Sequence, residues 1–265
     1  MAKRKQARVG LIDGDILAYE ISAVNEVRIN WEPDSNVSQY PLDLESAQEQ
    51  ADKSVGHLID ILNLDRVVIC LSDKNNFRKT IYPEYKSNRK DAVRPVLLNE
   101  IKDYLEDTYE TYKLPNLEAD DVLGILATHQ DKIPGKKIII SIDKDLTQIP
   151  GYYFNPNKHG KEITISKSEG DRFHYLQTLT GDNVDGYLGC PGIGPKKAEV
   201  ILNGEDGNEW TRIVRAYENK KLTEADALVQ AQIARILQAD NYDFATGEIT
   251  YWQPKLEKEN AKQLQ

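Results

Sequence analysis

Three short apolar runs along the chain each close on an aspartate: Val9-Gly10-Leu11-Ile12-Asp13, Val67-Val68-Ile69-Cys70-Leu71-Ser72-Asp73 and Ile138-Ile139-Ile140-Ser141-Ile142-Asp143. Runs of this length, rich in β-branched residues and apolar at successive positions, predict strands buried on both faces, as in a parallel sheet. Between them the pattern switches to helical spacing. Residues 16–24, 44–64 (apolar at Val55, Leu58, Ile59 and Leu62), 97–112 and 118–130 predict helices, with Pro95 suited to the entry of the third and Pro134-Gly135 stopping the fourth. The order β-α-α-β-α-α-β predicts an α/β domain with a mainly parallel sheet. From about Ser168 strand signals fade, short helices take over, Gly and Pro punctuate residues 189–195, and a last helix is predicted over 225–239. The chain thus divides at a soft boundary into 1–168 and a smaller helical lobe, 169–265, whose end from 255 onward is polar.

Composition sets the class. At 265 residues with 40% hydrophobic and 29% charged residues, the chain can bury a substantial core and reads as a globular protein. Cys70 and Cys190 lie far apart, which argues against a disulfide framework and for a reducing, cytoplasmic setting. No signal-type apolar core follows the basic start (residues 1–8), and no run of about 18 apolar residues predicts a membrane span.

The net charge of −9 speaks against a nucleic-acid partner, but the charge is unevenly spread. Residues 78–94 carry Arg78, Lys79, Lys86, Arg89, Lys90 and Arg94 against only Glu84 and Asp91. Such a segment suits either nucleic acid or a solvated helix face. It follows Asp73 directly, so it leaves the sheet at the edge where the three aspartates gather. Its aromatics, among them Tyr85, interleave with cations in the manner of single-strand binding surfaces; Phe77 and Tyr82 suit core anchoring equally well.

Ligands of open α/β sheets bind beyond the carboxyl ends of the strands. Further acids cluster in the sequence: Glu118, Asp120 and Asp121 at a helix start, Asp145 two residues past the third strand, and Asp182 with Asp185 at i, i+3. Each group alone has an ordinary reading as a helix cap or a turn. Together with Asp13, Asp73 and Asp143 they make nine. Two carboxylates about 5 Å apart repel by roughly 3 kcal/mol at an effective dielectric near 20. Gathering several pairs therefore calls for cations. All-oxygen ligation without histidine points to Mg²⁺ or Mn²⁺, and more carboxylates than one ion needs point to two ions, the arrangement that stabilises attacking and leaving oxygens in phosphodiester cleavage.

The stretch Pro191-Gly192-Ile193-Gly194-Pro195-Lys196-Lys197-Ala198 opens an amphipathic helix. Its glycines permit close backbone approach, and free N–H groups with two lysines suit a phosphate. It resembles the helix-hairpin-helix motif that grips a DNA backbone.

In this order, Ile12-Asp13-Gly14, Ser72-Asp73, Pro83-Glu84-Tyr85-Lys86-Ser87-Asn88-Arg89, Leu117-Glu118-Ala119-Asp120-Asp121, Ser141-Ile142-Asp143-Lys144-Asp145, Gly181-Asp182-Asn183-Val184-Asp185, Gly192-Ile193-Gly194, and the later stretches 232–237 and 251–254 resemble the FEN-type 5′ nuclease family, in particular the 5′→3′ exonucleases of T-odd bacteriophages. The resemblance spans nearly the whole chain. It implies a PIN-like, Rossmann-type sheet with a helical arch over about residues 74–96, followed by a helix-hairpin-helix-type lobe. It implies a first metal site from Asp13, Asp73, Glu118, Asp120 and Asp121 and a second from Asp143, Asp145, Asp182 and Asp185, some acting through water. Lys86 matches the family's active-site lysine, and Asp73 and Asp143 are the acids whose neutralisation should abolish catalysis. DNA contacts are expected from Arg78, Lys79, Tyr85, Lys86, Arg89, Gly192, Gly194, Lys196 and Lys197, with a potassium ion at the hairpin carbonyls. The implied activity is 5′→3′ exonuclease or flap endonuclease on DNA in phage replication, with RNA on DNA as an additional substrate. No sliding-clamp motif follows near the C-terminus. The alternatives are an inactive DNA-binding protein of the same fold and a PIN-type ribonuclease. Asp15 faces either the metals or a helix start.

Overall fold

The computed structural model describes residues 6–30, 37–89, 92–158 and 160–254; residues 1–5 of the basic start, Lys90 with Asp91, and the polar end from 255 lie outside them. The three apolar runs become β1 (Arg8–Asp13), β4 (Arg66–Leu71) and β6 (Lys136–Ile140), at the centre of a six-stranded sheet of order β5-β4-β1-β6-β7-β8. The strands β5 (Thr111–Lys113), β4, β1, β6 and β7 (Gly151–Phe154) run parallel, and β8 (Ile163–Ile165) closes one edge antiparallel to β7. The predicted helices appear as α1 (Gly14–Val24), α2 (Leu44–Leu62), α4 (Leu98–Thr108) and α5 (Ala119–Thr128). The third is shorter than its pattern because residues 111–113 leave it to pair with β4. A two-stranded hairpin, β2 (Glu26–Asn30) with β3 (Val37–Pro41), was not legible; its alternation is polar and it lies off the main sheet.

Period-2 alternation divides each central strand between two cores. Ile12, Ile69, Leu71, Ile138 and Ile140 pack under α1, α2 and α4, while Val9, Leu11, Val68, Cys70 and Ile139 pack against Val122, Leu123, Ile125 and Leu126 of α5. Both faces are thus covered, which is why the strands read as unbroken apolar runs. Successive strands run outward from β1 through β4 to β5, then cross back to β6 on the other side of β1. The switch point is the gap between β1 and β6, and it opens at the strands' carboxyl ends.

After a one-turn helix, α3 (Arg78–Ile81), residues 82–89 run through turns and a 3-10 turn, so the described part of the expected arch folds down along the 181–189 loop. The helical lobe comprises α6 (Lys167–Thr180), α7 (Pro195–Leu202), α8 (Glu209–Glu218) and α9 (Glu224–Ala234), around Leu179, Cys190, Trp210, Ile213 and Tyr217. Past α9 the chain leaves the lobe, and Ile236, Leu237 and Tyr242 join the core beneath α5. A Cβ on Gly124 of α5 would collide with the Leu237 carbonyl, so this close crossing requires glycine. Cys70 and Cys190 are free and buried. Among the described residues no helix is long and apolar enough to cross a membrane.

Candidate metal centre and nucleic-acid interface

Asp13 ends β1 and is nearly fully buried, at 3% exposure. One carboxylate oxygen caps α1 by accepting from the Ile16 N–H at 3.1 Å, and the other accepts from Ser141 Oγ at 2.9 Å across the switch point. Burial pushes its carboxyl up, and the nearby charges of Asp15 and Asp143 add to that. Asp120, in the first turn of α5, is likewise pushed well above the usual carboxylate range by burial and by Asp13 and Asp143, with Lys86 opposing. Asp145 is raised to about 6 by burial, Asp143 and Asp182. Its Oδ1 is buried and has no hydrogen-bond partner.

Asp143 thus bears on Asp13, Asp120 and Asp145, and Asp182 bears on Asp145, so these acids repel one another. Raised carboxyls among like charges are the condition a divalent cation relieves. The donors are all oxygen, and a buried carboxylate oxygen lies unpaired, so the residues fit Mg²⁺-type ions. Among the described residues no three His, Cys, Asp or Glu side chains are drawn together closely enough to hold a metal ion. The site is an open row of carboxylates.

Four expected ligands are engaged around this row. Glu118 sits under a roof of donors: Lys86 Nζ and Arg78 Nη1 (3.2 Å) are ion-paired to it and Tyr85 Oη donates at 2.9 Å. Burial alone would raise its carboxyl, but Lys86 and Arg78 overcome that and hold it at about 2. Asp185 accepts from Tyr85 Oη (2.8 Å) and pairs with Arg89 (2.6 Å) and Lys86 (3.6 Å). Asp182 Oδ1 accepts from the Val184 N–H at 2.7 Å and also from the Asp185 N–H, forming the turn that presents Asp185. Asp73 accepts from the Asn116 N–H at 2.9 Å, and this bond, ahead of the Lys74 and Asn75 N–H groups, lowers its carboxyl. Asp15 pairs with Lys102 at 2.8 Å and accepts from the Ser72 N–H.

Three residues expected at the site are engaged elsewhere in the fold. Asp121 was expected as a metal ligand. It is fully buried, and both its oxygens are spent on Arg78, at 2.6 and 2.8 Å, and on the Leu237 and Glu118 N–H groups. Arg78 was expected on DNA. It is 3% exposed and donates also to the Ile233 and Arg235 carbonyls at 2.8 and 2.7 Å, so no donor face remains for a phosphate. Tyr85, also expected on DNA, is buried with its hydroxyl committed to Glu118 and Asp185. Phe77 is a core anchor, stacked on Tyr251. Arg78 and Asp121 are buried charges that satisfy each other, as a charge out of water must.

Lys86 stands differently. Its φ of 55° places it in the left-handed region, which costs a lysine backbone strain, and its N–H is held by the Asp185 carbonyl at 2.8 Å. Burial disfavours its charge, but Glu118, Asp185 and Asp120 more than compensate. A permanent cation is thereby aimed at the acidic row. Lys79 is exposed, as are Gly192, Gly194, Lys196 and Lys197 at the start of α7. Gly194 is the α7 N-cap with Pro195 next, and Gly192 takes a φ of 74°. Ser72 and Ser141, which brace Ala119 and Asp13, went unremarked in the sequence although each lies beside a strand-end acid.

A mainly parallel sheet with acids gathered at its switch point, joined to a helical lobe that carries a glycine hairpin, is an architecture that suits a 5′ nuclease. The chain belongs to the 5′-3′ exonuclease family: residues 46–167 match the model of the 5′-3′ exonuclease, N-terminal resolvase-like domain. The exodeoxyribonuclease of Enterobacteria phage T3 is 30% identical over 288 residues, covering 92% of each chain. The exonuclease of Escherichia phage T7 is 28% identical over 285 residues, covering 92% of this chain and 93% of that one. The flap endonuclease Xni of Shewanella oneidensis is 30% identical over 184 residues, 64% of this chain and 67% of that one. Among solved structures, the T5 D15 protein co-crystallised with metal ions superposes with a TM-score of 0.64 at 18% identity, covering 86% and 88% of the two chains. That likeness bears on the fold.

Proposed function

We propose that this chain hydrolyses DNA phosphodiesters near 5′ ends, as a 5′→3′ exonuclease or flap endonuclease of phage DNA replication in the host cytoplasm, and leaves 5′-phosphate products. The observation that carries the reading is the gathering of Asp13, Asp120, Asp143 and Asp145 at the switch point, where burial and mutual repulsion push the carboxyls of Asp13, Asp120 and Asp145 upward. We assign one divalent ion to Asp13, Asp120, Glu118 and Asp143 and a second to Asp143, Asp145, Asp182 and Asp185, with Asp73 linked through water. Mg²⁺ is the expected ion and Mn²⁺ its substitute. Such ions supply charge neutralisation at the scissile phosphate and at the attacking and leaving oxygens.

The remaining work falls to the chain itself. Lys86 Nζ offers a fixed positive charge at the rim, where negative charge builds in the transition state. Arg89 and Lys79 hold the phosphates of a single strand beside it. The α7 N-terminus, with Gly192, Gly194, Lys196 and Lys197, binds the duplex backbone without reading sequence. A potassium ion at the hairpin fits less well, because the Gly192 carbonyl already accepts from Lys197 Nζ at 3.0 Å; no step depends on it. RNA paired to DNA is a second substrate consistent with backbone binding.

Incubating the protein with 5′-labelled flapped, nicked and blunt DNA, in Mg²⁺ or in chelator, tests the proposal. Cleavage at the 5′ end only with the ion, lost in Asp143→Asn and Asp73→Asn, is the expected result. Wild-type cleavage by either variant would sink it. Binding without cleavage favours the inactive DNA-binding protein, and cleavage of RNA alone the PIN-type ribonuclease.

A further inference from the structure

One residue past Asp73 the chain borders an open groove of about 520 Å³, set between residues 74–80 of the arch segment and residues 247–251. That size is within the range of small-ligand sites. Two aromatic rings line it. Phe77 is buried, and Tyr251 stacks on it with ring centroids 5.7 Å apart and 19° between the planes. Tyr251 itself is 38% exposed, so part of its ring is open to the groove.

Backbone bonds hold both rings in place. On one side Asn116, at a φ of 60°, accepts from the Phe77 N–H at 2.9 Å and donates its own N–H to Asp73 at 2.9 Å. On the other, Tyr242 and Ile249 pair across a turn at Gly247, and the Thr250 N–H donates to the Asn241 carbonyl at 2.8 Å. The groove is thereby fastened to the acidic site through Asn116. The cations of the arch segment divide at this point. Arg78, Lys86 and Arg89 are ion-paired with acids. Lys74 and Lys79 line the groove, are exposed, and meet no carboxylate within 4 Å among the described residues. Asn75 and Asn116 add side-chain amides, which both donate and accept.

Given the DNA reading proposed for this chain, we infer that the groove holds one unpaired nucleotide of the 5′ strand, its base stacked on Tyr251 and its phosphates on Lys74 and Lys79. Every base has a face to stack, and cations beside an aromatic ring track the backbone, so the contact is indifferent to sequence. A free 5′-mononucleotide carries the same chemistry. A strand already gripped at α7 reaches the groove at a far higher effective concentration.

The test is fluorescence anisotropy in chelator, where binding is read without cleavage, on duplexes with and without a short single-stranded 5′ tail. The tail should tighten binding by wild type. An abasic site walked along the tail should weaken binding at one position by about 5–150-fold, the scale of a single base–aromatic stack. Tyr251→Ala should lose the same gain and become insensitive to the abasic site, whereas Tyr251→Phe should retain both. Lys74→Ala and Lys79→Ala should weaken tailed DNA whatever its bases, each lowering the salt slope by about 0.7. In unmutated protein, a photoreactive iodouracil at the sensitive position should crosslink to Tyr251. A tail that adds no affinity, or an abasic site without effect at every position, overturns the inference. Free 5′-mononucleotide competing as strongly as unlabelled tailed duplex overturns it too. Failure of wild type to bind even the untailed duplex would instead remove the DNA reading beneath it.

Discussion

Arg78 and Asp121 form a fully buried, two-pronged ion pair, at 2.6 and 2.8 Å, on the floor of the acidic site. The pair absorbs one acid expected to bind metal and one cation expected to bind DNA. Asp121 also ties α5 to the returning chain through the Leu237 N–H, at 3.0 Å. The pair thereby joins the start of the arch segment, α5 and the 233–237 crossing.

Removing one partner strands the other in a dry site, so Arg78→Met should cost roughly 3–5 kcal/mol of stability. Arg78→Lys should recover little of it, because an ammonium cannot reproduce the two parallel bonds and the carbonyl contacts. Thermal melts in chelator, with and without DNA, check this; a melting temperature like wild type would show that the pair is dispensable.

Lys86→Ala should leave folding and ion binding nearly intact and lower the maximal cleavage rate by about 10²–10³-fold, the scale of a lost transition-state donor. Single-turnover cleavage of a 5′-labelled flap separates this from binding. A rise in KM alone would recast Lys86 as a docking residue.

Asp145 is pushed from 3.8 in the unfolded reference to about 6, first by burial and then by Asp143 and Asp182. Its ionisation is thus harder in the folded chain. The metal-free protein should lose stability as pH rises through that window and not regain it above. A divalent ion offsets the cost and competes with the proton. The Mg²⁺-induced rise in melting temperature should therefore be larger at about pH 7.5 than at about pH 5. Equal stabilisation at the two would contradict the assignment.

Gly124→Ala and Gly170→Ala each drive a methyl into a backbone carbonyl, of Leu237 and Gln148 respectively. Overpacking of this kind costs about 1–3 kcal/mol. Both should also weaken Mn²⁺ binding, since each displaces a wall of the site. By contrast, Gly56→Ala, on an open face of α2, should leave ion binding and melting unharmed.

The periodic segments were legible because each records burial locally. β1, β4 and β6 announced themselves as apolar runs, α2 and α5 by spacing, and the strand-end aspartates by position. The three-residue β5, the polar β2-β3 hairpin and the return of Ile236 to the sheet core left no such trace, since short or polar elements are chosen by their partners.

The sequence by itself determined that acids would collect at one edge of a parallel sheet, because strand direction and burial fix where a strand-end residue emerges. It could not divide those acids by role. Asp120 and Asp121 are neighbours in a helix, yet one faces the repelling row and the other is locked to Arg78. Only the tertiary structure decided that, because the environment of a charge depends on which distant groups the packed chain brings within a few ångströms. Residues 233–237, remote in sequence from every acid but Asp182 and Asp185, are among those groups.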